Sequence, residues 1–203
     1  MPIYKLRYLD LRARGEAIRM LFHLAGAPFE DERIARDAWQ GLKDSSPFGK
    51  LPVLVVDGQP LPQTVAILRY LGREHGFAGE APLDSAMIDA FVDQVEDMMK
   101  DVIMWIRVVL GFAKGDKEQS TREVFEPAWT RHMSIFESAL KKNPSGYLVG
   151  STVSFTDVHL ALHPDKSAKI LAGSPAVEQL VDKIESDPRL DNYMKNRAPL
   201  VTY

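Results

Sequence analysis

The stretch FGKLPVLVVDGQPLPQTVAILRYL, residues 48–71, carries most of the information about the fold. The apolar run Val53 to Val56 predicts a short strand, and Asp57-Gly58 directly after it is a strong hairpin signal. Pro52 cannot donate a hydrogen bond to a strand ladder, so it indicates either the start of this strand or a cis bond. Residues 65–74 read as a helix. The stretch therefore predicts a strand–hairpin–strand unit that leads into a helix.

The residues before this stretch predict a second unit of the type strand–helix–strand. Tyr4, Leu6 and Tyr8 alternate with charged residues, which is typical of a strand with one buried face. Residues 14–25 carry apolar residues on one helical face, and residues 29–34 predict another short strand. The N-terminal part of the chain is therefore expected to be an α/β domain with the order βαβ followed by ββα.

Strand signals fade after the glycine- and proline-containing segment 76–84, which predicts a linker. Residues 85–110 have helical periodicity. The pairs Ser120 with Glu123 and Ser154 with Asp157 have the spacing of a capping box, which marks a helix N-terminus. We therefore expect a domain at 1–78 and an all-helical domain at 79–203.

Composition restricts the function. The 203 residues include no cysteine and carry a formal net charge of -3, with 26% charged residues. The chain thus has no disulfide, thiolate metal site or cysteine nucleophile, and the charge gives no case for a nucleic-acid partner. The charged N-terminus and the short apolar runs predict neither a signal peptide nor a membrane span. The expectation is a cytoplasmic protein without a membrane partner.

Three features could carry chemistry. Gln63-Thr64 precedes a helix, whose N-terminal amides and dipole favour an anion, although Thr64 alone is more often a simple helix cap. Tyr8 ends a strand, where a tyrosine is ordinarily a packing residue. The acidic cluster Asp93, Glu96 and Asp97 is either a solvated helix face or a divalent-cation site, and the histidine spacing adds no metal site. We predict no bound metal.

Taken together, these segments resemble sigma-like cytosolic glutathione transferases, which include invertebrate members and the vertebrate haematopoietic prostaglandin D synthase. The similarity extends over nearly the whole chain. The motifs that carry it are Tyr8, Arg14-Gly15-Glu16, Trp39 with Lys43, Phe48 to Leu54, Asp57-Gly58, Gln63 to Leu71, Gly146 to Gly150 and Ser154 to Asp157.

The resemblance implies a thioredoxin-like α/β N-terminal domain, an all-α C-terminal domain and a homodimer that uses glutathione as co-substrate. It implies that Tyr8 donates its hydroxyl to the glutathione sulfur and that Arg14 nearby favours negative charge. Asp97 would reach the glutathione bound to the partner subunit. The other glutathione contacts implied are Trp39, Lys43, Lys50, Leu51 through its backbone, a cis Pro52, Gln63 and Thr64.

The implied reaction is conjugation of glutathione thiolate to a hydrophobic electrophile. That electrophile would lie near Tyr8, Arg12 and Arg14. Four further residues either line its pocket or are simply part of the core: Met98, Met99, Met104 and Trp105. The alternatives are a glutathione-dependent prostaglandin D isomerase, a non-catalytic binder of haem or other hydrophobic ligands, and a structural lens-type protein. Two positions depart from the family pattern, namely Thr64, where relatives usually carry serine, and the proline-containing segment 163–166.

Overall fold

The N-terminal residues form the predicted α/β unit in the computed structural model, which describes residues 1–109, 111, 113–162 and 173–197. The order of elements is βαβ followed by ββα, as the sequence predicts. The elements are β1 (Tyr4–Leu9), α1 (Ala13–Ala25), β2 (Glu30–Ile34), α2 (Trp39–Leu42), β3 (Val53–Val56), β4 (Gln59–Pro62) and α3 (Thr64–His75).

The four strands form one mixed sheet in the order β2-β1-β3-β4. β1 runs parallel to β2 and antiparallel to β3, and β3 and β4 form the predicted hairpin. The alternation read from the sequence is real, because Tyr4, Leu6 and Tyr8 are all buried on one face of β1. This sheet, with α1 and α3 packed beside it, confirms the thioredoxin-like α/β domain.

Helices make up the second part of the chain, which confirms the predicted all-α domain. Among the described residues they are α4 (Pro82–Val109), α5 (Lys117–Ser120), α6 (Glu126–Lys142), α7 (Phe155–Ala161), α8 (Pro175–Glu185) and α9 (Asp191–Asn196), with a π-helical turn at Thr121–Phe125. None of the described helices has the length and apolar character needed to cross a bilayer. The predicted departure at 163–166 lies outside the described residues, and the boundary between residues 78 and 79 stays a prediction.

One of the two predicted capping boxes is wrong. Ser120 has helical backbone angles (φ -61°, ψ -34°) and makes no side-chain cap, because the helical stretch already begins at residue 117. Asp116 caps it instead, and its carboxylate accepts a hydrogen bond from the Gln119 amide at 2.7 Å. Glu123 accepts a hydrogen bond from the Gln119 side chain rather than from a cap.

The second predicted capping box, at the start of α7, is confirmed. Ser154 Oγ accepts from the Asp157 amide, while the Asp157 carboxylate accepts from the Ser154 amide at 2.8 Å and from the Leu148 amide at 2.8 Å. Burial raises the pKa of Asp157 to about 6, against hydrogen bonds from Ser154 and Leu148 that lower it. The adjacent Phe155 amide donates to the Phe77 carbonyl at 2.9 Å, so this cap also ties α7 to the segment that links the two parts of the chain.

We expect Ser154→Ala to lower the free energy of unfolding by about 1–2 kcal/mol, because the helix loses its N-cap and a buried carboxylate loses a donor. Urea denaturation followed by circular dichroism measures this change. Ser154→Thr keeps the hydroxyl and should retain most of the stability, and Ser151→Ala is the exposed control. An alanine variant as stable as the parent protein would contradict a stabilising cap.

Candidate active site

One end of the sheet collects most of the predicted site residues. Arg7, Val53 and Pro62 lie side by side in neighbouring strands, so the next position along each strand brings Tyr8, Pro52 and Gln63 to the same edge. The parallel strand β2 also ends there, and the segment that carries the other predicted contacts follows it. The strand register therefore assembles a site from residues that are distant in sequence.

Tyr8 has a buried ring at the end of β1. Gly15, in the first turn of α1, lies against it, since a Cβ at Gly15 would come within 2.8 Å of Tyr8 Cγ. The Arg19 guanidinium carbon lies 5.8 Å from the centre of the Tyr8 ring. A side chain larger than hydrogen at position 15 would displace the ring, so the glycine fixes the approach of α1 to Tyr8.

Thr64 is the first residue of α3 and is only 3% exposed. Gln63 before it has a left-handed φ of 78° and makes no side-chain cap among the described residues, so the first amides of α3 are left for another acceptor. The helix has 12 residues, enough for its dipole to favour an anion at this end. The bond between Leu51 and Pro52 is cis, as the resemblance implies.

The segment between β2 and β3 carries Trp39, Lys43 and Lys50. Trp39 is half-buried as the first residue of α2, and both lysines are exposed. The Lys50 carbonyl accepts a hydrogen bond from Ser46 Oγ at 2.8 Å. The Lys43 side chain lies beside Gly49, because a Cβ there would be 3.8 Å from Lys43 Cε. The segment therefore folds back so that the Lys43 side chain reaches Gly49, the residue before Lys50.

Arg14 is joined to the helical domain. Its guanidinium lies 3.0 Å from Glu96 Oε2 on α4, and the same carboxylate meets His159 Nε2 on α7 at 3.2 Å. Burial disfavours ionisation of Glu96, but the His159 hydrogen bond and the Arg14 charge outweigh it and lower the pKa to about 2. Glu96 is therefore an anion at physiological pH and a constant partner for Arg14.

In the part of the chain that the structure describes, no group of three or more metal-ligating side chains is arranged to hold a metal ion, and this includes the acidic cluster Asp93, Glu96 and Asp97. Each of its members has a basic partner: Asp93 pairs with Arg69, Glu96 with Arg14 and Asp97 with Lys100. Asp97 lies on α4, and its side chain is 60% exposed. The strand register thus groups Tyr8, Pro52 and Gln63, whereas the Asp97 side chain is exposed on α4.

The residues considered as lining for a second substrate divide into two kinds. Met98 is fully buried in the core, so the interpretation of it as lining is wrong. Met104 is exposed, and Trp105 is half-buried with its indole N–H donating to Thr121 Oγ1 at 2.9 Å. The Trp105 ring packs on Phe125, within the π-helical turn that follows α5.

Two protein-family models match the chain. The model described as the N-terminal domain of glutathione S-transferase matches residues 4–73, and the model described as the C-terminal domain matches residues 100–197. The two matches fall on the α/β unit and on the helices, and together they include most of the chain.

Full-length relatives agree with these matches. Glutathione S-transferase 1 of Ascaris suum is 39% identical over 97% of this chain and 98% of its own length. A monomeric glutathione S-transferase of the hookworm Necator americanus has a TM-score of 0.92 at 38% identity, over 98% of this chain and all of that one. A Nu-class glutathione transferase of Haemonchus contortus has a TM-score of 0.89 at 39% identity, over 98% of both chains.

Proposed function

Because this chain belongs to the glutathione S-transferase family and is an enzyme that uses glutathione as co-substrate, we propose that Tyr8 activates the glutathione thiol for attack on a hydrophobic electrophile. The observation that carries the proposal is the convergence of Tyr8, the Leu51–Pro52 edge and the N-terminus of α3 at one end of the sheet. The sigma-like class is the finer part of the proposal and rests on the motif around Gln63.

The chemistry required is thiol ionisation. A free thiol has a pKa near 8.5, so only a few per cent is thiolate at neutral pH. A phenol that donates a hydrogen bond to the sulfur stabilises the anion, and a guanidinium nearby adds favourable charge. Tyr8 supplies the donor and Arg14, fixed at the start of α1, supplies the charge. The thiol proton is released to solvent, and the thiolate then attacks the electrophile, from which a leaving group such as the halide of an aryl halide departs, while the phenol keeps its proton.

The rest of the site matches the charges of the tripeptide. The buried N-terminus of α3 at Thr64, with Gln63, suits the γ-glutamyl carboxylate. Lys43 and Lys50, beside Trp39, suit the glycine carboxylate. The backbone of Leu51, before the cis Pro52 at the start of β3, suits the cysteinyl amide. Each role is the one that the resemblance implies, and the charge of each group is compatible with it.

The function is tested by conjugation of an aryl halide to glutathione by the purified protein. The proposal predicts saturable turnover above the solution rate and retention of the protein on immobilised glutathione. Binding of hydrophobic ligands without turnover would favour a non-catalytic binder instead. A parallel assay of prostaglandin H2 isomerisation decides whether the enzyme also acts as a prostaglandin D isomerase.

We also propose that the enzyme is a homodimer. Phe48 is 72% exposed and is held at a left-handed φ of 57° on the segment before β3. The same chain carries a cavity of about 710 Å³ between α4 and α6, with apolar lining that includes Met87, Phe91, Ile135 and Ala139. In a C₂ dimer each chain offers both surfaces, so the Phe48 of each chain would fill the partner's cavity and the contact would be made twice. Asp97, exposed on α4, would then face the partner's glutathione.

We expect the purified protein to sediment as a dimer at micromolar concentration and Phe48→Ser to shift it to monomer, because the aromatic anchor is lost. Ile3→Ser removes an equally exposed apolar side chain at the other end of the sheet and should leave the dimer intact. Asp97→Asn should weaken glutathione binding without changing the thiol pKa. A monomeric parent protein, like the relative from Necator americanus, would exclude both the dimer and the shared site.

A further inference from the structure

The carboxylate of Glu96 stands between two basic side chains from different parts of the fold. Arg14 reaches it from α1 in the α/β domain, with Nη1 3.0 Å from Oε2 and 3.3 Å from Oε1. His159 reaches it from α7 in the helical domain, where its ring is only 1% exposed. The three residues form a chain of contacts from the interior of the helices to Arg14 in the first turn of α1, directly before Gly15, which lies against the Tyr8 ring.

The three side chains of this cluster differ in how far they are exposed to solvent. The Arg14 side chain is 38% exposed and would sample many rotamers on its own, while the Glu96 side chain is 18% exposed. A carboxylate that accepts from a buried imidazole has a fixed orientation, because that ring is held by packing on every side. The more buried part of the cluster is therefore Glu96 with His159, and Arg14 is the more exposed side chain that the carboxylate holds.

We propose that Glu96 and His159 are positioning residues that hold the Arg14 guanidinium beside Tyr8 for stabilisation of the glutathione thiolate. The inference rests on the role proposed above for Arg14 and extends it to the helical domain. Glutathione activation then depends on correct docking of α4 and α7 against α1, although neither helix contributes to the sheet edge where the tripeptide is proposed to bind.

A purely electrostatic role for Glu96 predicts the opposite result. If Glu96 acted only through its negative charge, its removal would make the site more positive and lower the thiol pKa of bound glutathione. If it acts by positioning Arg14, its removal frees the guanidinium and raises that pKa, by about 0.5–1 unit if Arg14 supplies a typical charge interaction. The sign of the shift separates the two roles.

The experiment titrates the thiolate absorbance of the glutathione complex against pH for Glu96→Ala, Arg14→Gln and the double variant. We expect Glu96→Ala to raise the pKa and Arg14→Gln to raise it at least as much. In the Arg14→Gln background, Glu96→Ala should add nothing, because its effect passes through Arg14. Asp93→Ala is the matched control: it removes a carboxylate one turn earlier on α4 that pairs with an arginine, Arg69.

Substitution of His159 separates positioning from charge without altering Glu96. His159→Leu fills the space but removes the hydrogen-bond donor to Glu96, so it should raise the thiol pKa of bound glutathione, as Glu96→Ala does. His159→Gln places an amide N–H near the position of Nε2 and should restore it. In these variants kcat/KM below the thiol pKa should fall about three- to tenfold wherever the pKa rises by 0.5–1 unit, since the thiolate fraction falls in proportion.

The outcomes are distinct. If Arg14→Gln leaves the thiol pKa unchanged, the proposed role of Arg14 is wrong and the positioning role fails with it. If Arg14→Gln raises the pKa but Glu96→Ala lowers it, leaves it unchanged or adds fully to Arg14→Gln, the positioning inference alone is overturned. Thermal unfolding of each variant shows that the protein remains folded at the temperature of the titration.

Discussion

Replacement of Tyr8 by phenylalanine should reduce turnover at neutral pH roughly tenfold or more while the protein stays folded. The ring remains to fill the space against Gly15 and under Arg19, so only the hydroxyl is lost. Without that donor the pKa of the bound thiol should rise towards its value in water. A shift of two units corresponds to about 2.7 kcal/mol of differential stabilisation of the thiolate.

The pH dependence identifies the cause of the loss. Above the thiol pKa glutathione ionises without help, so the difference between Tyr8→Phe and the parent enzyme should shrink as pH rises. Turnover is measured with a slow aryl halide, for which chemistry limits the rate. Tyr4→Phe, which removes a buried phenol from the same face of β1 at its other end, is the control and should keep full activity. An unchanged rate for Tyr8→Phe would remove Tyr8 from the mechanism.

Short-range patterns predicted the α/β domain because its signals are local. The alternation in β1, the apolar run of β3 and the turn at Asp57-Gly58 each depend on a few neighbouring residues, and each matches the structure. The failure at Ser120 is also local. Asp116 offers a competing cap four residues earlier, and once the helix begins there the angles of Ser120 become helical.

The contacts of Glu96 could not be predicted in the same way. The sequence places it in an acidic cluster on a helix, where the usual interpretation is a solvated face. Its partners are 82 and 63 residues distant, and they meet it only after α1, α4 and α7 have packed. Gly15 is similar, since its contact with Tyr8 depends on the approach of α1 to β1. Spacing identifies candidate residues, but tertiary packing decides which charge faces which.

The N-terminus of α3 provides the second large effect. Thr64→Ala should weaken glutathione binding by about 1.5–3 kcal/mol, because a hydrogen bond to a charged carboxylate is lost. The corresponding rise in the dissociation constant is about 10- to 150-fold. Since Thr64 is buried, the alanine variant also loses a methyl group, and this loss must be separated from that of the hydroxyl.

Two further variants make the separation. Thr64→Ser keeps the hydroxyl and loses only the methyl, so glutathione binding measured by calorimetry should be nearly unchanged. Thr64→Val keeps the shape and loses only the hydroxyl, so it should bind as weakly as alanine. If valine binds glutathione as well as threonine does, the γ-glutamyl carboxylate is held elsewhere. If serine is as weak as alanine, the methyl contact rather than the hydroxyl supports the site, and the family's usual serine could not replace Thr64 in this chain.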